Sequence, residues 1–509
     1  MLCCGGVGCV GSGQVDHGTL VVAIESAPLT FDPRGATTSD TARVQQLIYH
    51  TLVQKNERFE LVPELAERWQ VDAEMKNFTF FLPRGITFHN GKELTAHDVA
   101  YTFETMIAPG FDSPKRAAFS RLRKVEVVDD RTVVFRCRER YPGLLVDLVA
   151  VGIIPEGSGP TAAANPIGTG PFRVVNFVQG QHIDLEAFPT AFGGAPRIQR
   201  LRLKVVRDPT TLALELLSGS VHFALNTRLS PDFVEEQRRL GTLNVTIADG
   251  APVEYLLLNT SDAVLADRRV RQAIAYGLDR QTIIKNLLQQ QARLASTVLP
   301  PTHWAYNANV KRYDYDPEMA RQLLDQAGYP DPDGDGPQPR LRLSLKTSSA
   351  EQPRQIATIV QEHLRNIGIE VELQSYEFQT YANFLNRGQY QMGFLRLVGG
   401  YFPDIFKAAF GSRSIPFDPT ISERERTGFL NRARYRNVEV DRLIEQAEAT
   451  QDRQEQVKLY GRIQEIVAED VPWIYLWYPS NVAVMSRRVG SVRIPPSGDF
   501  FFFKELTFQ

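Results

Sequence analysis

The chain has 509 residues, 43% of them hydrophobic, which is too long for one core because single cores stop growing at about 250–300 residues. Its 57 basic and 59 acidic residues give a formal net charge of -2 and exclude the one-sided positive field that nucleic acid or an anionic membrane surface requires. We therefore expect two or three lobes, a small ligand and no nucleic-acid partner.

Three of the four cysteines, Cys3, Cys4 and Cys9, lie within the first ten residues, so a disulfide framework cannot hold the fold. Small residues precede Cys9 and a Gly/Ser segment follows it, which is typical of the end of a lipoprotein signal. Two interpretations stay open: residues 1–15 are a signal remnant and tether lipidated at Cys9, or the cysteines are incidental in a disordered tail. No later run reaches the roughly 18 apolar residues of a membrane span.

The first third of the chain alternates strands and helices. An apolar run at residues 19–24 predicts a strand, and a helical repeat follows at Val44, Leu47 and Ile48. Thr95 and Asp98 have the spacing of a helix capping box. Residues 125–128 and 132–135 read as the two strands of a hairpin. This part predicts a small α+β lobe.

A parallel arrangement is predicted further on. Residues 341–345 and 369–373 alternate as strands, and between them lies an amphipathic helix that Pro353 opens and Gly368 ends. A strand–helix–strand unit of this kind implies parallel pairing. Two more helices are predicted to start after Asp316 and Asp452. The fold class is therefore α/β.

Several segments carry a resemblance to a known family. They are AERW at 66–69, FTFFLPRGITFHNGKELTAHDVAYTF at 78–103, NPIGTGPF at 165–172, DRRVRQAIAYGLDR at 267–280 and AEDVPWIYL at 468–476. In this order they resemble the family 5 bacterial extracellular solute-binding proteins, which include the oligopeptide- and dipeptide-binding proteins of ABC transporters. Most of these residues also suit turns and helix caps, so they identify a fold more than a ligand site.

The resemblance implies a periplasmic binding protein of type II (cluster C), with two hinged α/β lobes and an additional α+β lobe inserted in the first. Residues 16–46, 172–261 and 482–509 would form lobe I, 47–171 the inserted lobe, and 262–481 lobe II. It also implies an extracytoplasmic subunit of an ABC importer, a monomer that captures peptides or peptide-like solutes between its lobes and delivers them to a membrane permease. We expect a periplasmic or cell-surface location.

Peptide-binding relatives hold an extended peptide as an added strand, and closure depends on ligand contacts to both lobes. The expected ligand contacts are a loop of lobe I, a strand of lobe II with the segment after it, and three further cleft candidates. In chain order they are Thr37, Thr38, Ser39, Tyr255, Asn259, Trp304, Arg396, Leu397, Val398, Gly399, Tyr401 and Asp404.

The charge of the expected pocket admits two interpretations. The family's ammonium-binding aspartate falls at Gly399 and its tryptophan at Arg396, so the pocket favours an anionic, non-peptide solute. Alternatively, Arg396 pairs with a structural carboxylate and Asp404 supplies the ammonium site. A peptide sensor that does not import its ligand would have the same sequence features.

An enzyme is not expected, because the chain lacks the nucleophile-elbow, zinc-protease and P-loop motifs. No cofactor is expected either. The Asp-rich segment 331–336 lacks the downstream glutamate of a calcium loop, so we predict a solvated turn there and no metal site.

Overall fold

Mixed α/β structure runs through the residues that this computed structural model describes, which are 18–35, 38–334, 336–399, 402–422 and 426–509. The strands are β1 (Thr19–Ile24), β2 (Val53–Lys55), β3 (Leu61–Pro63), β4 (Arg68–Val71), β5 (Asn77–Phe81), β6 (Leu122–Asp129), β7 (Thr132–Cys137), β8 (Phe172–Val178), β9 (His182–Ala187), β10 (Arg200–Val205), β11 (Phe223–Leu225), β12 (Asn244–Ala248), β13 (Val253–Leu258), β14 (Ala292–Leu294), β15 (Leu341–Ser348), β16 (Ile369–Tyr376), β17 (Met392–Leu397), β18 (Trp473–Pro479) and β19 (Asn481–Met485). The α-helices are α1 (Ser39–Ile48), α2 (Ala96–Ile107), α3 (Leu144–Leu148), α4 (Pro209–Ser218), α5 (Pro231–Leu240), α6 (Arg268–Tyr276), α7 (Arg280–Asn286), α8 (Pro317–Gln326), α9 (Glu351–Arg365), α10 (Phe378–Arg387), α11 (Ile405–Phe410), α12 (Val438–Ala449) and α13 (Arg453–Asp470).

Lobe I is built on a seven-stranded sheet with the order β12-β19-β11-β1-β10-β9-β8. Its central strand, β1, pairs in parallel with β10 and β11. Leu20 and Val22 pack into the core on one face of the sheet, and Val21 and Ala23 pack into the core on the other. Burial on both faces explains why this strand is a continuous apolar run. The predicted strand at residues 19–24 is confirmed.

Lobe II is built on a six-stranded sheet with the order β14-β18-β13-β17-β15-β16. The predicted βαβ unit is confirmed, since β15 and β16 pair in parallel on either side of α9 in sequence. The expected boundary at residue 261 is wrong, because it assigns β13 to lobe I. β13 pairs with β17 and β18 instead, and its side chains other than Glu254 pack into the lobe II cores on the two faces of that sheet.

The inserted lobe has its own core, which runs from Leu52 to Ile153 in sequence. It contains a four-stranded sheet, β4-β5-β7-β6, the β2-β3 pair and helices α2 and α3. The hairpin of β6 and β7 is present as predicted. The capping box at α2 is also confirmed, since the Thr95 N–H donates to Asp98 Oδ2 at 2.8 Å. We propose residues 47–171 as the bounds of this lobe because its core is separate.

The chain crosses between the two large sheets twice, once between Ala248 and Val253 and once at Ser480. The crossings lie side by side: a Cβ at Gly250 would sit 1.8 Å from the carbonyl oxygen of Pro479, so glycine is required there. Asn481 Nδ2 donates to the carbonyl of Asp249 at 3.0 Å. Two adjacent crossings between separately packed lobes are the connection that a hinge needs.

Two of the three predicted helix starts, those of α8 and α13, agree with the structure, and that of α9 differs. α8 and α13 begin directly after the N-caps Asp316 and Asp452, as predicted. α9 begins at Glu351, two residues before Pro353, so proline lies inside the first turn, where its missing N–H costs no helical hydrogen bond. No helix in the described part of the chain combines the length and the apolar character needed to cross a bilayer.

Candidate functional site

Strand β17 of lobe II has one edge that is partly open. It pairs with β13 along its whole length, from Met392 to Leu397. On its other side it pairs with β15 only through Met392 and Gly393. Among the described residues, no strand covers that edge from Phe394 onward. An open run of backbone N–H and C=O groups of this kind is able to accept an added strand.

Helix α10 holds this strand in place. A Cβ at Gly393 would lie 2.9 Å from Leu385 and from the hydroxyl of Tyr381, so the glycine lets α10 pack directly on β17. The buried Tyr381 hydroxyl donates to the carbonyl of Phe394 at 2.6 Å. This bond already satisfies the Phe394 carbonyl, so the edge that is open to an added strand begins beyond Phe394, where the packed helix supports it.

The residues predicted at the end of β17 have different surroundings. Leu397 packs partly against the lobe II core, Val398 is 47% exposed, and Gly399 has a φ of +83°. Arg396 lies opposite Glu254 and donates to its carboxylate, from Nε at 2.6 Å. Because the indole N–H of Trp477 binds the same carboxylate, Glu254 is fixed there. The structure therefore shows the second interpretation of Arg396, a cation paired within the lobe.

Two of the predicted ligand contacts lie inside lobe II. Tyr255 is buried and stacks on Trp473 with a centroid separation of 3.8 Å. Asn259 is buried, and its Nδ2 donates to the carbonyls of Gly388 and Tyr390. Both side chains are used in packing the lobe, so we do not retain them as ligand contacts.

The predicted residues of lobe I lie at the start of α1. Thr38 is the N-cap of this helix, and its hydroxyl accepts from the Thr41 N–H at 3.3 Å. Ser39 is the first residue of the helix and is exposed. Three other predicted positions, Thr37, Tyr401 and Cys9, lie outside the described residues.

Trp304 and Asp404 meet in a cavity of about 320 Å³ between the inserted lobe and lobe II. The walls are mainly aromatic and apolar, and both lobes contribute to them. The inserted lobe provides Phe59, Leu61, Trp69, Val71, Met75, Phe78, Pro142, Gly143, Leu145 and Val146, and lobe II provides Trp304, Phe402, Pro403, Asp404, Ala447, Glu448, Thr450, Gln451, Arg453, Gln456 and Tyr460. We call this space the acidic cavity because of the carboxylates described next.

Asp404 is the main polar feature of the acidic cavity. It precedes α11 without capping it, and in the described part of the chain its carboxylate receives no hydrogen bond from another residue. Asp404 is exposed to the cavity interior, but the surrounding protein withdraws it from bulk water. This desolvation, with the nearby charges of Asp147 and Glu448, raises the pKa of Asp404 to about 7.

The charged groups around Asp404 are of both signs, and Lys407 opposes the rise in the pKa of Asp404 that Asp147 and Glu448 cause. Desolvation raises the pKa of Asp147 to about 6, although a hydrogen bond from the Tyr141 hydroxyl opposes the shift. Glu448 is paired with Lys407 at 2.8 Å. The Arg453 guanidinium lies 3.7 Å from the centre of the Trp304 ring, where it stacks on an aromatic wall. Among the described residues, Asp404 thus has no ion-pair partner and no hydrogen bond from another residue in an aromatic cavity, an arrangement suited to an apolar group that carries an amine.

Sequence reasoning missed most of this cavity. Trp69 and Tyr460, for example, are 391 residues apart in sequence, and no local pattern marks them as neighbours. The described residues contain no group of three or more His, Cys, Asp or Glu side chains placed to hold a metal ion.

Comparisons with known proteins agree on one family. The model of the bacterial extracellular solute-binding proteins, family 5 (middle region), matches residues 60–410. Heme-binding protein A of Haemophilus influenzae is 30% identical over 520 residues, covering 96% of this chain and 92% of the relative.

Two solved structures with bound peptides have the same fold. One is the oligopeptide-binding protein AppA of Bacillus subtilis in complex with a nonapeptide, with a TM-score of 0.75, 26% identity, and coverage of 97% of this chain and 99% of the other. The second is the ABC transporter-associated periplasmic binding protein DppA of Helicobacter pylori with the peptide STSA, with a TM-score of 0.75, 26% identity and coverage of 96% and 98%.

Proposed function

Because this chain belongs to the bacterial extracellular solute-binding proteins of family 5, we propose that it captures a peptide or peptide-like solute outside the cytoplasm and delivers it to the permease of an ABC importer. The observation that carries the proposal is the open edge of β17, whose chain leads within seven residues to Asp404. An extended ligand on that edge would form backbone hydrogen bonds with β17 and place its ammonium group beside the carboxylate of Asp404.

The ligand's backbone would supply most of the specificity for an extended chain. Each added strand hydrogen bond contributes about 0.5–1.5 kcal/mol net, so two or three of them contribute about 1–4.5 kcal/mol without reading side chains, and the amine and the cavity must supply the rest of the affinity. Binding through the backbone tolerates varied peptide sequences. The aromatic cavity is large enough to accept different side chains at the first residue of the peptide. Solutes would then be selected by backbone shape and a free amine.

Closure follows from contacts to both sides of the cleft. Lobe I would contact the ligand through the start of α1, at Thr38 and Ser39, and lobe II through β17. A ligand shifts the hinge only by the difference between its affinities for the closed and open states. The permease would recognise the closed form. We propose that the protein acts as a monomer and binds without catalysis.

The ligand can be identified directly. Native mass spectrometry of the purified protein, followed by denaturation, would release any solute that co-purifies. We expect a series of peptides that vary in side chains and share a free amino terminus. A single species without a peptide backbone would contradict the proposal.

The role of Asp404 is tested with one peptide in free and N-acetylated forms. Calorimetry should show that acetylation and Asp404→Asn each weaken binding by about 30-fold or more, since removing one partner of a buried charge pair costs about 2 kcal/mol or more. In Asp404→Asn, acetylation should have little further effect. Glu445→Gln on α12 is the matched control, because it removes the same charge from an exposed position outside the cavity.

A second candidate function is capture of a non-peptide solute. The relative named heme-binding protein A favours it, and the aromatic walls of the acidic cavity would suit a flat ligand. The specific case of an anionic solute loses its main support, because Arg396 is paired with Glu254. A sensor without import remains a further alternative, which uptake of labelled peptide in cells with and without the gene would distinguish.

We also propose that Cys9 anchors the protein to the membrane through a lipid. The support is its sequence context of small residues before it and a Gly/Ser segment after it. Mass spectrometry of the N-terminal peptide from membrane fractions should show an acylated Cys9, and Cys9→Ser should release the protein. Recovery of the unmodified protein in the soluble fraction would contradict this.

A further inference from the structure

A second cavity, of about 270 Å³, lies inside lobe II and is separate from the acidic cavity. Helices α6 and α7, the segment 293–314 and the start of β18 enclose it. Its charged lining residues are Arg280, Arg293, Lys311, Arg312 and Asp314, four of them basic and one acidic. We call it the basic cavity. None of its lining residues belongs to the proposed peptide site.

Arg280 is the deepest of these cations and is only 7% exposed. Its guanidinium donates to the carbonyls of Tyr475, at 2.6 Å, and of Tyr313 and Ala295. In the described part of the chain no carboxylate forms a close ion pair with it, although the charge of the lining residue Asp314 acts on it, and its Nε has no hydrogen-bond partner. Burial lowers the pKa of Arg280 to about 10, so the group is still charged at neutral pH.

Trp473 provides a second donor without a partner. It is 2% exposed, and its indole Nε1 makes no hydrogen bond to any described residue. Its ring is fixed by stacking on Tyr255, with an interplanar angle of 9°. A buried donor at a fixed position needs an acceptor from outside the fold, either water or a ligand.

The remaining charges decide what kind of acceptor fits. Arg312 is exposed at the edge of the cavity, and Arg293 is 3.7 Å from an equally exposed Asp249. Lys311 is paired with Glu469 at 3.1 Å. Two unpartnered donors within a mostly basic lining disfavour a cationic ligand and favour an anion. Both of the buried unpartnered groups of this cavity are N–H donors, so the ligand must bring oxygen acceptors.

We propose that the basic cavity is a binding site for a small oxyanion, a carboxylate or a phosphate, held by Arg280 and Trp473 and attracted by Arg293 and Arg312. Such a ligand would complete the hydrogen bonding of the two buried donors and add to the partial compensation of the Arg280 charge by Asp314. The site lies next to the Tyr255–Trp473 stack, beneath the sheet that contains β17. It is independent of the peptide site.

The test uses the full-length protein with inorganic phosphate and with acetate as separate probes, at constant ionic strength set with sodium chloride. Calorimetry and thermal unfolding should show saturable binding of at least one anion and a melting temperature that rises with its concentration. Whichever anion binds identifies the ligand class. Absence of saturable binding of both anions at concentrations up to tens of millimolar would overturn the proposal.

Two variants locate the binding. Trp473→Phe removes the indole donor and keeps a ring to stack on Tyr255, and Arg312→Gln removes an exposed charge without altering the core. Each should weaken anion binding by about fivefold or more, while Arg342→Gln, the same charge change on the outside of β15, should have no effect. Equal binding by all variants, or loss of anion binding in Asp404→Asn, would overturn the assignment to this cavity.

Discussion

The acidic and basic cavities are similar in size, and both contain polar groups without partners, but these groups have opposite character. In the acidic cavity the unpartnered group is the carboxylate of Asp404, an acceptor whose pKa is raised to about 7. In the basic cavity the unpartnered groups are the N–H donors of Arg280 and Trp473. From this comparison we infer the charge of each cavity's ligand from its unmet hydrogen bonds, which the residues predicted from one strand do not reveal.

The location of the two cavities also differs in a way that bears on mechanism. The acidic cavity lies between two lobes, so a ligand in it contacts both and favours the arrangement that closes it. The basic cavity lies within lobe II, so its ligand stabilises one lobe and leaves the hinge unaffected. We therefore expect anion binding to raise the melting temperature without changing the affinity for peptide.

The largest effect is expected from reversing the charge of the acidic cavity. Asp404→Lys replaces the carboxylate with an ammonium group that repels the ammonium group of the ligand. Calorimetry should therefore show that affinity for a free-amine peptide falls by about 100-fold or more. Phosphate or acetate binding to the basic cavity should not change. Glu445→Lys on the exposed face of α12 is the control for the added charge. If both substitutions weaken peptide binding equally, Asp404 is not the ammonium site.

A smaller effect is expected from pH. The amine needs an ionised carboxylate, and the pKa of Asp404 in the free protein is about 7. As the pH falls from 7.5 to 5.5, a proton increasingly competes with the ligand, so affinity for a free-amine peptide should drop on the order of tenfold. Calorimetry at both pH values would measure this. The drop should be absent in Asp404→Asn, and a drop that persists there would assign the titration to another group.

Local elements of the fold were predictable from sequence because their signals lie within a few residues of each other. The capping box of Thr95 and Asp98 and the alternation in β15 and β16 are of this kind. The position of β13 was not predictable, because its partners β17 and β18 follow it by more than a hundred residues. Its apolar sequence suits the centre of either sheet.

The site was less predictable than the fold for the same reason. The resemblance to a family placed Asp404 among the candidates, and Trp304 was predicted as an aromatic residue of the cleft. The structure brings these two together in one cavity. The resemblance gave no sign that Glu254 neutralises Arg396, since the two residues are paired across β13 and β17 at a sequence separation of 142. Charge pairing between distant strands is invisible in a single sequence, so the prediction of an anionic solute rested on an apparently free Arg396 together with the missing aspartate at Gly399.

The smallest effect concerns the stability of the empty protein. Because the pKa of Asp404 is higher in the folded protein than its ordinary value of 3.8, the folded state binds more protons between pH 4 and 7, and this group lowers stability as the pH rises through that range. Asp404→Asn removes a charge that its surroundings disfavour and breaks no cap hydrogen bond of α11, so the variant should melt higher than the wild type at pH 8, by about one degree because the side chain is partly exposed. The difference in melting temperature between the variant and the wild type should vanish near pH 4.

Acid also destabilises both proteins through His89, because burial lowers the pKa of His89 to about 4. Both proteins lose the same stability from this group between pH 6.5 and 4, so the loss cancels when their melting temperatures are compared. A variant of Asp404 that is less stable than the wild type at pH 8 would show that this carboxylate stabilises the fold and is not an unpaired ligand-binding group.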